Sequence, residues 1–218
     1  MDGNKVKIEV PTGKNQLLAT ALEKINSSEE IYALWEMTNN TAMKRLGWSD
    51  HGPVHFRIVA NSSLRICRIL AKHGVEMGIV RDFGLTNDHA ELVVVLGAIF
   101  HDLGMSINRE GHEEYSLFIG MEVMNQVLDF LPVRERIIVR GEVQHAIINH
   151  RDDGSPKTIE AGIVRIADAL DMTAGRARIP FETGTVNIHN LSESAIKSVE
   201  ILDGGVETPV NINIYMCN

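Results

Sequence analysis

Apolar residues recur at helical spacing along most of the chain, as far as about residue 172. This spacing gathers them on one face of each segment, so the pattern predicts a mainly helical fold. Capping residues mark several starts: Ser27-Ser28 precedes two glutamates, and Pro53 suits a first helical turn. The predicted helices cover residues 15–25, 50–74, 86–104, 113–131, 133–150 and 158–172, with one more that starts at Ser28.

The helix that follows the capping residues Thr86-Asn87-Asp88 becomes apolar on all sides through the run LVVVLGAIF. A helix of that kind is normally buried on every face. The run from Leu92 to Phe100 is far shorter than the ~20 residues that cross a bilayer, so we expect no membrane span. The helix stops at Gly104, directly after the pair His101-Asp102.

The helix over residues 50–74 carries both an apolar side and a basic stripe. The apolar side consists of Val54, Ile58, Leu64, Ile69 and Leu70. The basic stripe consists of Arg57, Arg65, Arg68 and Lys72. We interpret the stripe as a solvated face rather than a binding patch.

The pattern changes after Gly184. Residues 185–189 alternate like a strand, 192–198 suit a short helix, and 199–202 and 210–215 read as strands around the turn Asp203-Gly204-Gly205. The fold class predicted is therefore mainly α, a helical bundle with a small C-terminal α+β appendage. We place the helical domain at 1–180 and the appendage at 181–218.

Composition and charge narrow the functional class. The chain has 218 residues, 44% hydrophobic and 23% charged, which is ordinary for a globular protein. Its formal net charge of −8 argues against a nucleic-acid partner, because such binding rests on excess positive charge. The two cysteines are too few for a disulfide framework, and the N-terminus lacks an apolar signal core. We therefore expect a cytoplasmic protein.

Histidines are the unusual feature of the composition. Six of the nine lie in predicted helices or at helix ends between positions 51 and 150: His51, His55, His101, His112, His145 and His150. A lone His-Asp pair is usually a hydrogen-bonded core pair, but this cluster is explained most simply by a metal centre. His145 and His150 are five apart, about 140° around a helix, so we expect one of them to bind metal. The remaining three, His73, His89 and His189, we interpret as surface residues.

Asp168 strengthens the metal hypothesis. It falls in the apolar stripe of Ala161, Val164 and Met172, opposite a second stripe of Ile159, Ile163, Ile166 and Leu170. A buried carboxylate costs several kcal/mol unless it is protonated, paired with a base or bound to a cation. A structural ion pair with an arginine remains an alternative.

The order of these residues resembles the H…HD…D signature of the HD-domain phosphohydrolase superfamily. His55 on a helix is followed by His101-Asp102 and then by Asp168 in RIADALD. The stretches GHEEYSLFIG and AIINHRDDG, with His112 and His150, are similar to segments of members that hold two metals. The resemblance covers about residues 49–173. The phrases DHGPVH, EAGIVRIADALDM and GRARIP resemble an archaeal-type group of uncharacterised HD proteins, in which we expect a longer C-terminal extension.

The resemblance implies hydrolysis of a phosphomonoester or phosphodiester, often of a nucleotide, through a metal-activated water. It implies a first ion held by His55, His101, Asp102 and Asp168, and a second ion held by His112 and His150, with Asp102 as a bridge. Imidazole and carboxylate suit Mn, Fe, Co, Ni or Zn, and Mg²⁺ is a further candidate. The proposed catalytic residues are Asp102, His51 and His145, with Glu113 as another candidate acid. The proposed phosphate contacts are Arg109, Lys157, Arg176 and Arg178.

One departure and two alternatives remain. Ile58 stands where the family usually has a basic residue, which weakens the case for phosphate binding there. A non-catalytic metal or nucleotide sensor of the same fold is the main alternative, and a structural interaction protein is the other. The sequence leaves open the substrate, the metal, the number of ions and whether the chain forms a homo-oligomer.

Overall fold

The computed structural model describes residues 6–172 and 195–217. Over these ranges a bundle of helices is followed by a two-stranded antiparallel sheet, which confirms the predicted fold class. The helices are α1 Gln16–Ser27, α2 Glu29–Asn39, α3 Pro53–Lys72, α4 Gly78–Phe83, α5 Asn87–Phe100, α6 His112–Val127, α7 Val133–Ile148 and α8 Ile159–Ala169. The strands are β1 Ile196–Asp203 and β2 Val210–Met216. A π-helical turn, Asn40–Arg45, continues α2, and a 3₁₀ turn, Leu103–Ser106, follows α5.

Helix α5 is the centre of the bundle. Its residues from His89 to Phe100 are buried apart from the half-buried Glu91, and it packs against α1, α3, α4, α7 and α8. Gly97 permits the close approach, because a Cβ there would lie 3.0 Å from Val164 Cγ2 and 3.2 Å from Ala146 Cβ. The continuous apolar surface of α5 is therefore matched by neighbours on every side, as the sequence predicts.

One stretch of the described chain, Asn87–Ser106, is long and apolar enough to cross a membrane by length and composition. The protein itself buries 94% of that window. The apolar character of this stretch therefore reflects its position as the buried core helix of the bundle.

The start of α3 is fixed by a polar cap from the preceding loop. Asp50 Oδ1 accepts hydrogen bonds from the backbone N–H groups of Gly52 and His55, at 3.1 and 3.2 Å. Asn39, the last residue of α2, donates its side-chain amide to Asp50 Oδ2 at 2.9 Å and accepts the His51 N–H at 3.1 Å. The first turn of α3 is thus tied to the end of α2.

The segment after α5 is pressed against α6. Gly104 donates its N–H to Ser116 Oγ at 2.8 Å, and that hydroxyl donates to the His101 carbonyl at 2.6 Å. A Cβ on Gly104 would lie 2.0 Å from the His112 carbonyl oxygen, closer than any side chain permits. Glycine at this position therefore allows the start of α6 to approach the end of α5.

Several sequence predictions differ from the structure. The short helix over 192–198 is wrong at residues 196–198, which begin β1, because tertiary pairing with β2 outweighs local propensity. Val54 and Ile58 of α3 and Ile166 of α8 are exposed rather than part of a buried face. The strand predicted over 185–189 and the domain boundary at 180 lie outside the described residues.

His89 is buried rather than at the surface. Its ring closes a capping box at the N-terminus of α5: Nδ1 contacts the Thr86 hydroxyl at 2.8 Å, and Nε2 lies 3.2 Å from Glu135. Histidine fills a place that glutamate or glutamine normally takes in this motif, which is why the sequence pattern did not reveal it.

The basic stripe of α3, predicted to be a solvated face, forms ion pairs and hydrogen bonds with neighbouring segments. Arg68 pairs with Glu91 of α5 at 2.7 Å. Arg65 donates to the Ile201 carbonyl of β1, and Lys72 pairs with Asp203 at the end of that strand. These contacts, with Ile201 buried, attach the hairpin to α3.

Substitution of Gly104 by alanine should destabilise the protein, because the new Cβ meets backbone atoms of α6 that cannot move independently. We expect a loss of about 1–3 kcal/mol in the free energy of unfolding, the range for overpacked positions. Gly141 in α7 is the matched control, since a Cβ there meets nothing within 4 Å. Gly141→Ala should instead stabilise by about 0.5–1 kcal/mol. Urea unfolding of both variants tests this, and equal effects would contradict the close packing at Gly104.

Candidate metal centre

Five structural elements bring histidine and aspartate side chains to one end of α5. His101 and Asp102 end that helix, His55 comes from the first turn of α3, and Asp168 comes from the last turn of α8. His112 opens α6, and His150 follows the end of α7. A cavity of about 260 Å³ opens beside them. Side chains up to 113 positions apart in the sequence therefore meet at one point.

The four central histidines all present the same ring nitrogen to this point. In His101, His112 and His150, Nδ1 lies 2.9, 2.9 and 2.7 Å from the backbone carbonyl three residues earlier. In His55, Nδ1 lies 2.6 Å from Asp171 Oδ2. In His55, His101 and His150, Nδ1 faces only an acceptor and carries the hydrogen, so each of these rings when neutral has its lone pair on Nε2. In His112, Nδ1 also lies 2.7 Å from the donor Nη1 of Arg109, so either ring nitrogen can carry the hydrogen there.

These rings face one another in two pairs. The Nε2 atoms of His55 and His101 are 3.2 Å apart, and those of His112 and His150 are 3.3 Å apart. Two acceptors at hydrogen-bond distance repel unless a proton or a metal ion lies between them. The pair of His55 and His101 therefore calls for positive charge, and the pair of His112 and His150 calls for a hydrogen or an ion between its two Nε2 atoms.

Asp102 stands between the two pairs and presents one oxygen to each. Its Oδ2 lies 3.4 Å from His101 Nε2 and 3.8 Å from His55 Nε2. Its Oδ1 lies 3.0 Å from His112 Nε2 and 3.7 Å from His150 Nε2. A carboxylate in this position can serve two cations at once.

Asp168 completes the first pair. Its Oδ1 lies 3.3 Å from His55 Nε2 and 3.5 Å from His101 Nε2. The ligand atoms of these three residues lie within 4.8 Å of one another, and so do those of His101, Asp102 and His150. The side chain of Asp168 is 27% exposed, because it borders the cavity rather than the apolar interior. The buried stripe inferred from the sequence therefore opens to solvent at this residue.

Charges in the metal-free centre are strongly coupled. Burial alone would lower the pKa of His101, but the carboxylates of Asp102 and Asp168 outweigh it and raise that pKa well above 6.5. Burial would raise the pKa values of both aspartates, yet His101 holds them well below 3.8. Burial and the neighbouring His101 lower the pKa of His150 to about 4. In the metal-free protein a proton on His101 thus supplies part of the positive charge that the centre requires.

The donor set fits a divalent transition ion. Imidazole nitrogens and carboxylate oxygens, rather than oxygens alone, are the ligands preferred by Mn, Fe, Co, Ni and Zn. In all four central histidines Nδ1 lies within hydrogen-bond distance of a carbonyl or carboxylate oxygen, as is usual for histidines that ligate metals. Mg²⁺, which prefers oxygen ligands and retained waters, is a poorer match.

The rim of the cavity is basic on one side. The Arg109 guanidinium lies 4.7 Å from the centre of the Trp48 ring, and its half-buried position lowers its pKa. Among the described residues Arg109 has no carboxylate within ion-pair distance, and its Nε is buried without a partner. Arg151, also at the rim, pairs instead with Glu113 at 2.7 Å. Arg109 Nη1 lies 2.7 Å from Nδ1 of His112, so the other N–H groups of the Arg109 guanidinium are the ones placed to receive an anion.

The other candidate residues from the sequence are distributed differently. His51 lines the cavity, and its Nδ1–H donates to the Ser49 carbonyl at 2.8 Å. His145 does not line the cavity; its Nε2 accepts the Lys157 N–H at 2.9 Å and holds the loop after α7. Lys157 points its ammonium to Ser155 at 2.8 Å. Arg176 and Arg178 lie outside the described residues.

Glu113 forms an ion pair with Arg151, which lines the cavity. Partial burial would raise its pKa, but hydrogen bonds from its own backbone N–H and from Arg151 lower it. It is therefore ionised near neutral pH, which makes it a poor proton donor. Its role in the structure is to fix Arg151.

Asp171 and Asp50 were missed by the sequence reading. Both contact His55, Asp171 at the ring and Asp50 at the backbone N–H. Asp171 lies three residues after Asp168 in RIADALD, and the repeat of aspartate at one helical turn was the available signal. The pattern could not tell which aspartate faces which side of the imidazole.

Comparison with known proteins gives the following matches. The family model of the HD domain matches residues 55–173. An uncharacterised protein of Methanocaldococcus jannaschii is 34% identical over 197 residues, 90% of this chain and 76% of that protein. Ribonuclease Y of Onion yellows phytoplasma is 27% identical over 168 residues, 70% of this chain but only 27% of the ribonuclease. No solved structure matches.

The metal-free centre should contribute most to stability near pH 6.5. Above that value the contribution of His101 falls, because its pKa is raised on folding and deprotonation removes the charge pairing. Below it the contribution of His150 falls, because its pKa of about 4 makes protonation costly in the folded state. Thermal melts in chelator from pH 5 to 9 measure this. A melting temperature that keeps rising from pH 6.5 to 9 would contradict the charge state described.

Proposed function

The chain belongs to the HD-domain family, and from this membership we propose that it hydrolyses a small phosphomonoester or phosphodiester, with a nucleotide as the expected substrate. Members of the family are in general metal-dependent phosphohydrolases, and they bind divalent metal ions. The net charge of −8 disfavours a long nucleic acid, so we propose a small molecule although one relative is named a ribonuclease.

The observation that carries the proposal is the position of Asp102 between two histidine pairs. We propose that His55, His101, Asp102 and Asp168 hold one divalent ion, and that His112, His150 and Asp102 hold a second. Mn, Fe, Co, Ni and Zn are the candidates that the donor set supports best. A divalent ion at this position lowers the pKa of a water ligand toward neutrality and offsets charge on a phosphoryl oxygen.

The remaining side chains have separate proposed roles. Asp102 accepts a hydrogen bond from the attacking water as well as joining the two histidine pairs. Arg109 binds a phosphoryl oxygen, because its guanidinium faces the cavity without a carboxylate partner among the described residues. His51 is the proposed proton donor to the leaving oxygen: its Nδ1–H is bonded to the Ser49 carbonyl, and in the imidazolium form Nε2 carries the second proton, which passes to the leaving oxygen.

We also propose that residues 1–180 form a metal-binding helical domain, that residues 181–218 form an appendage, and that the protein is cytoplasmic. A non-catalytic sensor of the same fold is the alternative function. Turnover separates the two. We expect hydrolysis in a screen of nucleotides, cyclic dinucleotides and aryl phosphates with Mn²⁺, Fe²⁺, Mg²⁺, Co²⁺ and Ni²⁺. Tight metal and nucleotide binding without any turnover in that screen would favour the sensor.

Asp168→Asn should lose metal affinity and turnover together, because a neutral amide oxygen is a poor replacement for a carboxylate ligand. The metal-free variant should remain folded. If Asp168 were only half of a structural ion pair, the same change would cost about 3–5 kcal/mol with or without metal. Metal content and thermal melts with and without chelator measure both quantities. Asp129→Asn, at an exposed pair with Lys24, is the control and should leave both unchanged.

Arg109→Ala should lower kcat/KM by about 10–100-fold at saturating metal, because a charge-assisted hydrogen bond to phosphate is worth about 1.5–3 kcal/mol. Arg109→Lys should recover only part of the loss, since an ammonium lacks the planar fork and the stacking on Trp48. Arg134→Ala on the exposed part of α7 is the control. Unchanged kinetics in Arg109→Ala would remove this residue from substrate binding.

A further inference from the structure

Among the four central histidines, His55 differs in what holds its Nδ1–H. In the other three, Nδ1 lies against a backbone carbonyl three residues earlier in the same segment, and in His112 it also contacts Arg109 Nη1. For His55 the corresponding carbonyl belongs to Gly52, and it accepts the Phe56 N–H at 3.0 Å as the first bond of α3. The carboxylate of Asp171 takes its place at 2.6 Å.

This contact is closed to solvent. The His55 side chain is 0% exposed and that of Asp171 is 2% exposed. An ionised acceptor in a water-excluded position forms a shorter and stronger hydrogen bond than a carbonyl does. It therefore fixes the ring of His55 more firmly than the carbonyls fix the other three rings.

Asp171 is also built into the same turn as Asp168. The Asp171 N–H donates to the Asp168 carbonyl at 3.0 Å, in the turn that ends α8. Asp168 Oδ1 reaches His55 Nε2, and Asp171 Oδ2 reaches His55 Nδ1. One turn of chain thus faces both ring nitrogens of His55: Asp171 accepts the Nδ1–H, and Asp168 lies beside Nε2, where the proposed ion would bind.

From this geometry we infer that Asp171 is a positioning residue of the metal centre, which holds His55 with its Nε2 lone pair toward the cavity and strengthens it as a metal ligand. The inference rests on the proposed role of His55 in metal binding. A carboxylate behind a ligating histidine orients the ring and raises its basicity, and its loss typically lowers metal affinity by about 10–100-fold. Asp171 acts through His55 and is assigned no contact with substrate.

The first test measures Mn²⁺ binding to metal-free protein by calorimetry. Asp171→Ala should weaken binding by about 10–100-fold. Asp171→Asn should lie between it and the unmodified protein, because an amide oxygen still accepts the Nδ1–H but without charge. Asp129→Ala, an exposed position with the same change of charge, should bind as the unmodified protein does.

The second test asks whether Asp171 acts through His55. In a His55→Ala background, Asp171→Ala should change Mn²⁺ affinity by no more than roughly twofold, since the partner is already absent. A further large loss in that background would mean that Asp171 binds the ion itself or holds the fold, and it would overturn the inference.

The third test needs no metal. Histidine ring ¹⁵N spectra of the metal-free protein should show the Nδ1–H form of His55, and Asp171→Asn should keep it while Asp171→Ala should not. An unchanged Nδ1–H signal in Asp171→Ala overturns the inference. If the unmodified protein takes up no Mn²⁺, the proposed function fails together with this role. If it does, and Asp171→Ala binds equally well, only the role of Asp171 fails.

Discussion

The structure around the centre depends on one electrostatic constraint. Four imidazole Nε2 atoms and two carboxylates converge in a largely buried space, with the Nε2 atoms of each histidine pair 3.2 and 3.3 Å apart. Such a set of acceptors is stable only with positive charge among them. In the metal-free protein the raised pKa of His101 supplies a proton, and a divalent ion would supply more charge at the same place. Metal and proton therefore compete for this centre.

The helical bundle holds these histidine and aspartate side chains close together. Helix α5 is buried on nearly every side and is followed directly by His101 and Asp102, so the pair is attached to a helix that is packed all round. Gly104 allows α6 to approach, and the Asp50–Asn39 network fixes the first turn of α3. Acceptors that repel one another can be kept this close only because packing elsewhere stabilises their positions.

The sequence predicts the bundle from local helical periodicity, and it predicts the main residues of the centre from their resemblance to the HD-domain signature. Helical periodicity identified α5, and the order of His55, His101-Asp102 and Asp168 indicated which polar side chains would meet. What it could not supply is orientation. His145 is a candidate in the sequence and Asp171 is not, yet Asp171 contacts the ring of His55 while His145 holds the loop at Lys157. The strand at residues 196–198 is likewise determined by pairing with β2 and not by local propensity.

Anomalous diffraction from crystals grown with Mn²⁺ tests the central claim most directly, because it locates the ion independently of turnover. Data on the two sides of the manganese absorption edge would be compared at the cavity beside α5. The account predicts one peak in contact with His55, His101 and Asp168 and another in contact with His112 and His150, with Asp102 touching both. A cavity without any anomalous peak, in crystals whose side chains keep the positions described here, would contradict it.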